Sequence, residues 1–191
     1  PRPVYASKIS EAELRDEDEY LDQVSIFQKM VPKAYEIRAL FLGSHVISAR
    51  IDATSYDGKS VDSRRPAGDN AYGCYIDLPP DIVAKGISLM KALNIVTAAF
   101  DLLITPDGDY VFLELNEMGQ SLYLEQYEDV PCVLEAYCQF LMHQSNPFDF
   151  VPDYKLLQIS SREIYKPAHD IMRQETDSFY TTVSESGALR L

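Results

Sequence analysis

The chain has 191 residues, 46% hydrophobic and 25% charged, which suits one globular domain, or a domain with a tail, able to bury a core. Thirty acidic residues against seventeen basic ones give a formal charge of -13, a field that repels the phosphates of a long nucleic acid and argues against such a partner. No stretch approaches the roughly 18 uninterrupted apolar residues of a membrane span, and the start lacks a signal-peptide pattern, which predicts a soluble, cytoplasmic protein with no membrane partner.

Pro1 stands where a methionine is usual, and residues 1–9 read as the end of a strand, which predicts a piece of a longer protein. Ser10 and Glu13 form a capping box for a charged surface helix over 10–23. Residues 25–31 and 34–42 read as strands, and Gly43-Ser44 turns the chain into a third over 46–51. Residues 52–78, rich in Gly, Ser, Asp and Tyr, predict a long loop that carries Arg64 and Arg65. Pro79-Pro80 opens a helix with Ile82, Val83, Gly86, Ile87, Met90 and Leu93 on one face and Asn94 as its stop.

Strands over 96–105 and 110–116 flank Pro106-Asp107-Gly108-Asp109, a strong turn signal, and a second amphipathic helix runs over 131–143. This order predicts an α+β fold, an antiparallel sheet with helices packed on one side. Residues 145–191, interrupted by prolines and polar at the end, read as an appendage to a domain over 1–144. Cys74, Cys132 and Cys138 have no metal-ligand spacing and read as reduced thiols, and His45, His143 and His169 show no partner pattern.

The hairpin carries the chemistry. With a four-residue turn over 106–109, Thr105 faces Tyr110, Leu103 faces Phe112 and Asp101 faces Glu114, with Asn116 on the same face as Glu114. Leu102, Ile104, Val111, Leu113 and Leu115 then point to the opposite, core face. Two acids opposed across a sheet repel unless a cation neutralises them, and carboxylate and amide oxygens suit Mg²⁺. The same pattern also describes a solvated strand face, and a bulge would shift the register.

Asp101 and Glu114-Leu115-Asn116, with the segment 27–31 and Glu36-Ile37-Arg38 upstream, resemble the C-terminal part of the ATP-grasp ligases. More narrowly, the segment 27–38, Val61-Asp62-Ser63-Arg64-Arg65, and the segment 112–116 with Gly119-Gln120 are similar to the microviridin-type (graspetide) maturases of ribosomal peptides (RiPPs). The resemblance covers about residues 3–143. It implies a C-terminal lobe whose N-terminal lobe lies upstream, ATP and Mg²⁺ as cofactors, and a precursor peptide as substrate.

By that resemblance Gln28, Lys29 and Val31 lie in the adenine-binding hinge, where Lys29 offers its carbonyl and Val31 its N–H, and Glu36 meets the ribose. Asp101, Glu114 and Asn116 hold the metal. Arg38 and Arg50 approach the transferred phosphate or the substrate carboxylate, and Arg64 is the next cation. Arg38 and Arg50 share a face only if their turn has an odd number of residues, as a three-residue loop over 43–45 would give; a two-residue turn separates them.

The implied reaction phosphorylates a peptide carboxylate to an acyl phosphate, which a Ser, Thr or Lys side chain of the same peptide attacks, closing an ester or amide ring. The alternatives are an ATP-grasp ligase that adds amino acids to a protein or small acid, and a non-catalytic peptide-binding fragment. Glu117, Ser121 and Ser63 stand where the family usually carries Pro, Trp and Trp. Whether the chain forms a homodimer is open.

Overall fold

The structure, a computed structural model, describes residues 10, 26–52, 72–127 and 129–157. The helix expected over 10–23, apart from Ser10, and the expected cation Arg64 with its neighbour Arg65 lie outside the described residues, as does His169. The described residues form five strands: β1 Tyr35–Leu42, β2 His45–Asp52, β3 Tyr72–Tyr75, β4 Thr97–Ile104 and β5 Tyr110–Asn116. Two α-helices accompany them, α1 Pro80–Leu93 and α2 Val133–Met142. The sheet is antiparallel throughout, in the order β3-β2-β1-β4-β5.

Three expectations about the fold need correction. Residues 26–33 form no strand, and Ile26 is 92% exposed. Alternation makes a strand only where a sheet edge is open, and β1 is already bonded to β2 on one side and β4 on the other. Conversely, the region read as a loop over 52–78 contains β3, which pairs with β2 from Ala49↔Tyr75 to Asp52↔Tyr72. Its glycine breaks the sequence pattern but serves the packing, because the ring of Tyr127 lies where a Gly73 side chain would be.

The third correction concerns the helices, which cover opposite faces of the sheet. Ile37, Ala39 and Phe41 of β1, with Ala98, Phe100 and Leu102 of β4, pack with Ile82, Val83, Ile87 and Met90 of α1. A Cβ on Gly86 would meet the Phe41 ring, so this glycine lets α1 lie close to the sheet. The alternate residues Leu40 and Leu42, with Ile47 and Ala49 of β2, pack with Val133, Ala136 and Phe140 of α2. Period-2 alternation hides this arrangement, since β1 and β4 are apolar on both faces over much of their length and read as plain hydrophobic runs.

Local chemistry ends the helices where the sequence suggests. Pro80 sits in the first turn of α1, and Asn94 closes it in the left-handed region at φ 56° while its N–H bonds to the Lys91 carbonyl. Helix α2 is capped from outside. Glu125, buried on the 3-10 turn Leu122–Gln126, accepts from the Leu134 N–H, and Cys132 Sγ accepts from the Glu135 N–H at 3.4 Å. A carboxylate at this end also complements the helix dipole. Beyond α2, Gln139 brackets the backbone of Asp153, Glu135 accepts from the Leu157 N–H at 2.8 Å, and Phe150 enters the α2-side core. Cys74, Cys132 and Cys138 are not in disulfides, as expected. Among the described residues no helix is long and apolar enough to cross a membrane.

Two stability tests follow from these contacts. Gly43 turns β1 into β2 at φ +62°, and a Cβ there would overlap the Pro147 carbonyl, so Gly43→Ala will lower unfolding free energy by about 2 kcal/mol in urea titration. Glu125→Ala leaves a helix end and a thiol without their acceptor and will cost about 2–3 kcal/mol, whereas Glu125→Gln, which keeps an acceptor oxygen, will recover part of that loss.

Candidate functional site

Along β1 the α2 face changes character between Leu40, which is core, and Arg38 and Glu36, which are charged. Register carries that change across the sheet. Arg38 lies opposite Asp101, Asp101 opposite Glu114, and Asn116 opposite Ala99, so Arg38, Asp101, Glu114 and Asn116 share this face.

The hairpin reaches that arrangement by a route the four-residue turn did not foresee. Ile104 pairs with Tyr110, Leu103 with Val111 and Leu102 with Phe112, so the loop is 105–109, one residue longer than expected. Thr105 is thus part of the loop: its N–H bonds to the Asp109 carbonyl, and its Oγ1 accepts from the Asp109 N–H, each at 3.0 Å. Leu103 does not face Phe112, and Val111 shares the face of Asp101 rather than the α1 face. A bulge at Leu113 then inserts one residue into β5 and restores the expected Asp101↔Glu114 pair. The long turn and the bulge cancel.

The side chains converge as well. Arg38 Nη1 donates to Asp101 Oδ2 at 2.6 Å, and Asn116 Nδ2 donates to the same oxygen at 3.0 Å and to Glu114 Oε1 at 3.0 Å. Arg38 Nη2 donates to the Gly119 carbonyl, which ties the segment after β5 to the site. Burial pushes the Asp101 carboxyl above the usual range; Arg38 opposes the shift, and the Glu114 carboxylate reinforces it.

Glu36 lies on the same face as Arg38 and pairs with Lys33. Gln28 and Lys29 are exposed and Val31 is half-buried, all in the segment outside the sheet ladder. Arg50 is not at the site. The β1–β2 turn has two residues, Gly43-Ser44, which puts Arg38 opposite Ala49 and Arg50 opposite Ile37. Arg50 therefore projects to the α1 face, where it pairs with Asp52 at 2.8 Å and lies 4.2 Å over the Tyr35 ring.

Two participants escaped the sequence reading. One is the Gly119 carbonyl; the other is Tyr123. Burial raises the Tyr123 phenol, and the charges of Arg38, Asp101 and Glu36 all act on it, which brings this side chain into electrostatic reach of the charged row. Its ring stands edge-on to Tyr127 with centroids 6.1 Å apart. A tyrosine in a polar segment with no periodicity gives no sequence signal of this placement. His45, assigned no chemistry, meets the Tyr154 hydroxyl at 3.0 Å, and burial lowers its pKa.

The like charges of Asp101 and Glu114 are a cost to the fold at neutral pH. An acid whose folded pKa is raised destabilises the folded state when ionised, and that cost disappears as pH falls through the folded value. Glu114→Gln will therefore stabilise the metal-free chain at pH 7, by a few tenths of a kcal/mol given the exposure of Glu114, and the gain will shrink as the buffer is acidified. Thermal unfolding across pH reads both parts.

No protein-family model matches the chain, and no curated protein matches it. Solved structures do. A RiPP-associated ATP-grasp ligase from Chryseobacterium gregarium, in complex with ADP and a leader and core peptide, matches with a TM-score of 0.57 and 26% identity, over 64% of this chain and 37% of the ligase. The ATP-grasp ligase PsnB, complexed with a minimal precursor, Mg and ADP, matches with a TM-score of 0.57 and 19% identity, over 74% of this chain and 43% of PsnB. The macrocyclase MdnC from Microcystis aeruginosa MRC, bound with its precursor peptide MdnA, shares 30% identity over 51% of this chain and 26% of MdnC, with a TM-score of 0.40. The chain thus spans 26% to 43% of the length of these proteins. Over part of its length the chain thus matches the structures of RiPP ATP-grasp ligases.

Proposed function

We propose that this chain is the metal- and nucleotide-handling part of an ATP-dependent ligase that activates a side-chain carboxylate of a ribosomal precursor peptide and closes it onto a Ser, Thr or Lys side chain as an ester or amide. The observation that carries this reading is the convergence of Asp101, Glu114 and Asn116 beside Arg38 on one sheet face. The match to a peptide-bound, ADP-bound ligase supports it.

The donor set fits a hard divalent cation. Among the described residues no group of three His, Cys, Asp or Glu side chains is placed to hold a metal ion, so in this reading an amide oxygen joins the two carboxylates. Asn116 supplies it by rotating about its terminal torsion, which exchanges Nδ2 for Oδ1 between the two carboxylates. When bound there, Mg²⁺ supplies charge neutralisation for the phosphate oxygens of ATP.

The chain's own residues do the positioning. Asp101, Glu114 and Asn116 hold the metal, and Arg38 presents a planar guanidinium on the same face for the transferred phosphoryl group or the carboxylate that receives it. The Lys29 carbonyl and Val31 N–H hold adenine, and Glu36 accepts from the ribose hydroxyls. In this scheme the carboxylate attacks the γ-phosphate and ADP leaves; the peptide's hydroxyl or amine then attacks the acyl phosphate, inorganic phosphate leaves, and the attacking group gives up its proton. No protein nucleophile is needed. By the resemblance, Arg64 is the next candidate cation.

The test is magnesium-dependent ADP release by the polypeptide of full ligase length, stimulated by a precursor peptide that loses water. ADP release driven instead by free amino acids would assign the chain to ligases of the other kind, and peptide binding without turnover would remove the catalytic reading. Asp101→Asn, Glu114→Gln and Asn116→Ala will each lower turnover by at least about a hundredfold while the protein stays folded by circular dichroism. Arg50→Gln, on the opposite face, will stay within about threefold of wild type, whereas Arg38→Gln will not.

A further inference from the structure

Arg38 is 8% exposed, and its three nitrogens are in three different situations. Nη1 is on Asp101 Oδ2 at 2.6 Å, Nη2 is on the Gly119 carbonyl, and Nε is buried with no hydrogen-bond partner among the described residues. Asp101 Oδ2 also accepts from Asn116 Nδ2 at 3.0 Å, so both lone pairs of that oxygen are taken by donors. The Gly119 carbonyl belongs to a segment of constrained backbone. Gly119 has φ +76° and Gln120 φ +50°, with the Gly119 N–H on the Asn116 carbonyl at 3.3 Å and the Gln120 N–H on that of Met118 at 3.0 Å.

A cation cannot join Asp101 Oδ2 while both donors remain. The Asn116 amide can rotate and offer its oxygen, but a guanidinium has only donors and a positive charge, so it competes with a metal for the same oxygen. A buried arginine nitrogen without a partner is a further sign that this guanidinium is not in its best-satisfied position.

We infer that Arg38 is a placeholder for the cation: it neutralises Asp101 until a divalent metal arrives, and the metal then displaces Nη1 from Asp101 while Nη2 keeps the Gly119 carbonyl, coupling metal loading to the setting of the 117–121 segment. This rests on the reading of Asp101, Glu114 and Asn116 as metal ligands. The released Nη1 of Arg38 becomes available to an anion that accompanies the metal. Binding is thereby ordered, with the cation preceding the contact between Arg38 and phosphate.

The experiment uses the 191-residue chain with Mn²⁺ as the probe and no nucleotide, following affinity by titration calorimetry and the segment by amide hydrogen exchange. Removing a competitor tightens binding, so Arg38→Gln will bind Mn²⁺ at least about tenfold more tightly than wild type, and Glu114→Gln more weakly. The amides of 118–121 will exchange at least about threefold faster in metal-free Arg38→Gln than in wild type, and Mn²⁺ will shift their exchange in wild type but not in that variant. Binding in Arg38→Gln that is equal to or weaker than wild type, with Glu114→Gln still weaker, would overturn the placeholder and leave the metal site standing. Absence of Mn²⁺ binding in both wild type and Arg38→Gln would remove the metal site itself, and the placeholder with it. If Arg38→Gln fails to fold by circular dichroism, Arg38→Met takes its place: methionine carries neither the charge nor the donors, so it too must bind Mn²⁺ more tightly than wild type, and equal or weaker binding overturns the placeholder.

Discussion

The cross-strand pair of Arg38 and Asp101 is the interaction on which the rest of the site depends. Both side chains are largely withdrawn from water, where an unpaired charge is expensive, and each makes the other tolerable. Without Asp101 the guanidinium would be a buried cation holding only a backbone carbonyl; without Arg38 the two carboxylates would oppose each other with only the Asn116 amide between them. The pair stands where the α2 face of the sheet passes from a packed core to a charged row. It therefore marks a boundary between the part of the sheet that stabilises the fold and the part suited to bind a ligand.

That boundary is made by counting residues in turns. A two-residue turn between β1 and β2 sends Arg50 to the opposite face from Arg38. A five-residue loop between β4 and β5 would by itself misplace Glu114 relative to Asp101, and the single extra residue at Leu113 returns it. Because side chains alternate with a period of two, each added or removed residue moves every later side chain to the other face. Bulges are common beside binding sites for this reason, since they aim a few side chains without altering the strand on which they sit.

The two cores hold this geometry from both sides. Helix α1 seals one face through Phe41, Phe100 and Met90, and α2 seals the other through Val133, Ala136 and Phe140. The connection from β5 to α2 is itself anchored twice, by Arg38 on Gly119 and by Glu125 on the first turn of α2. Tyr123 lies between those anchors, so its position near the charged row follows from both. The residues after α2 reach back to the β1–β2 turn, where the Pro147 carbonyl occupies the space that a side chain on Gly43 would need.

Much of this was legible in the residues alone. Proline pairs, a left-handed asparagine and apolar spacing delimit α1, and alternation and a Pro-Asp-Gly-Asp turn locate the β4–β5 hairpin. These features depend on neighbours close in sequence, whose geometry a short stretch of chain already dictates. What only the tertiary structure decided depends on partners far apart: residues 26–33 stay out of a sheet whose neighbouring places are filled, β3 forms because β2 offers an edge, and the helices take opposite faces because β1 and β4 are apolar on both. The same holds for Arg50, for the compensating bulge at Leu113, and for Tyr123 and the Gly119 carbonyl beside Arg38. Local pattern cannot report them, because parity across a turn and contact across a sheet are set by the chain's closure on itself.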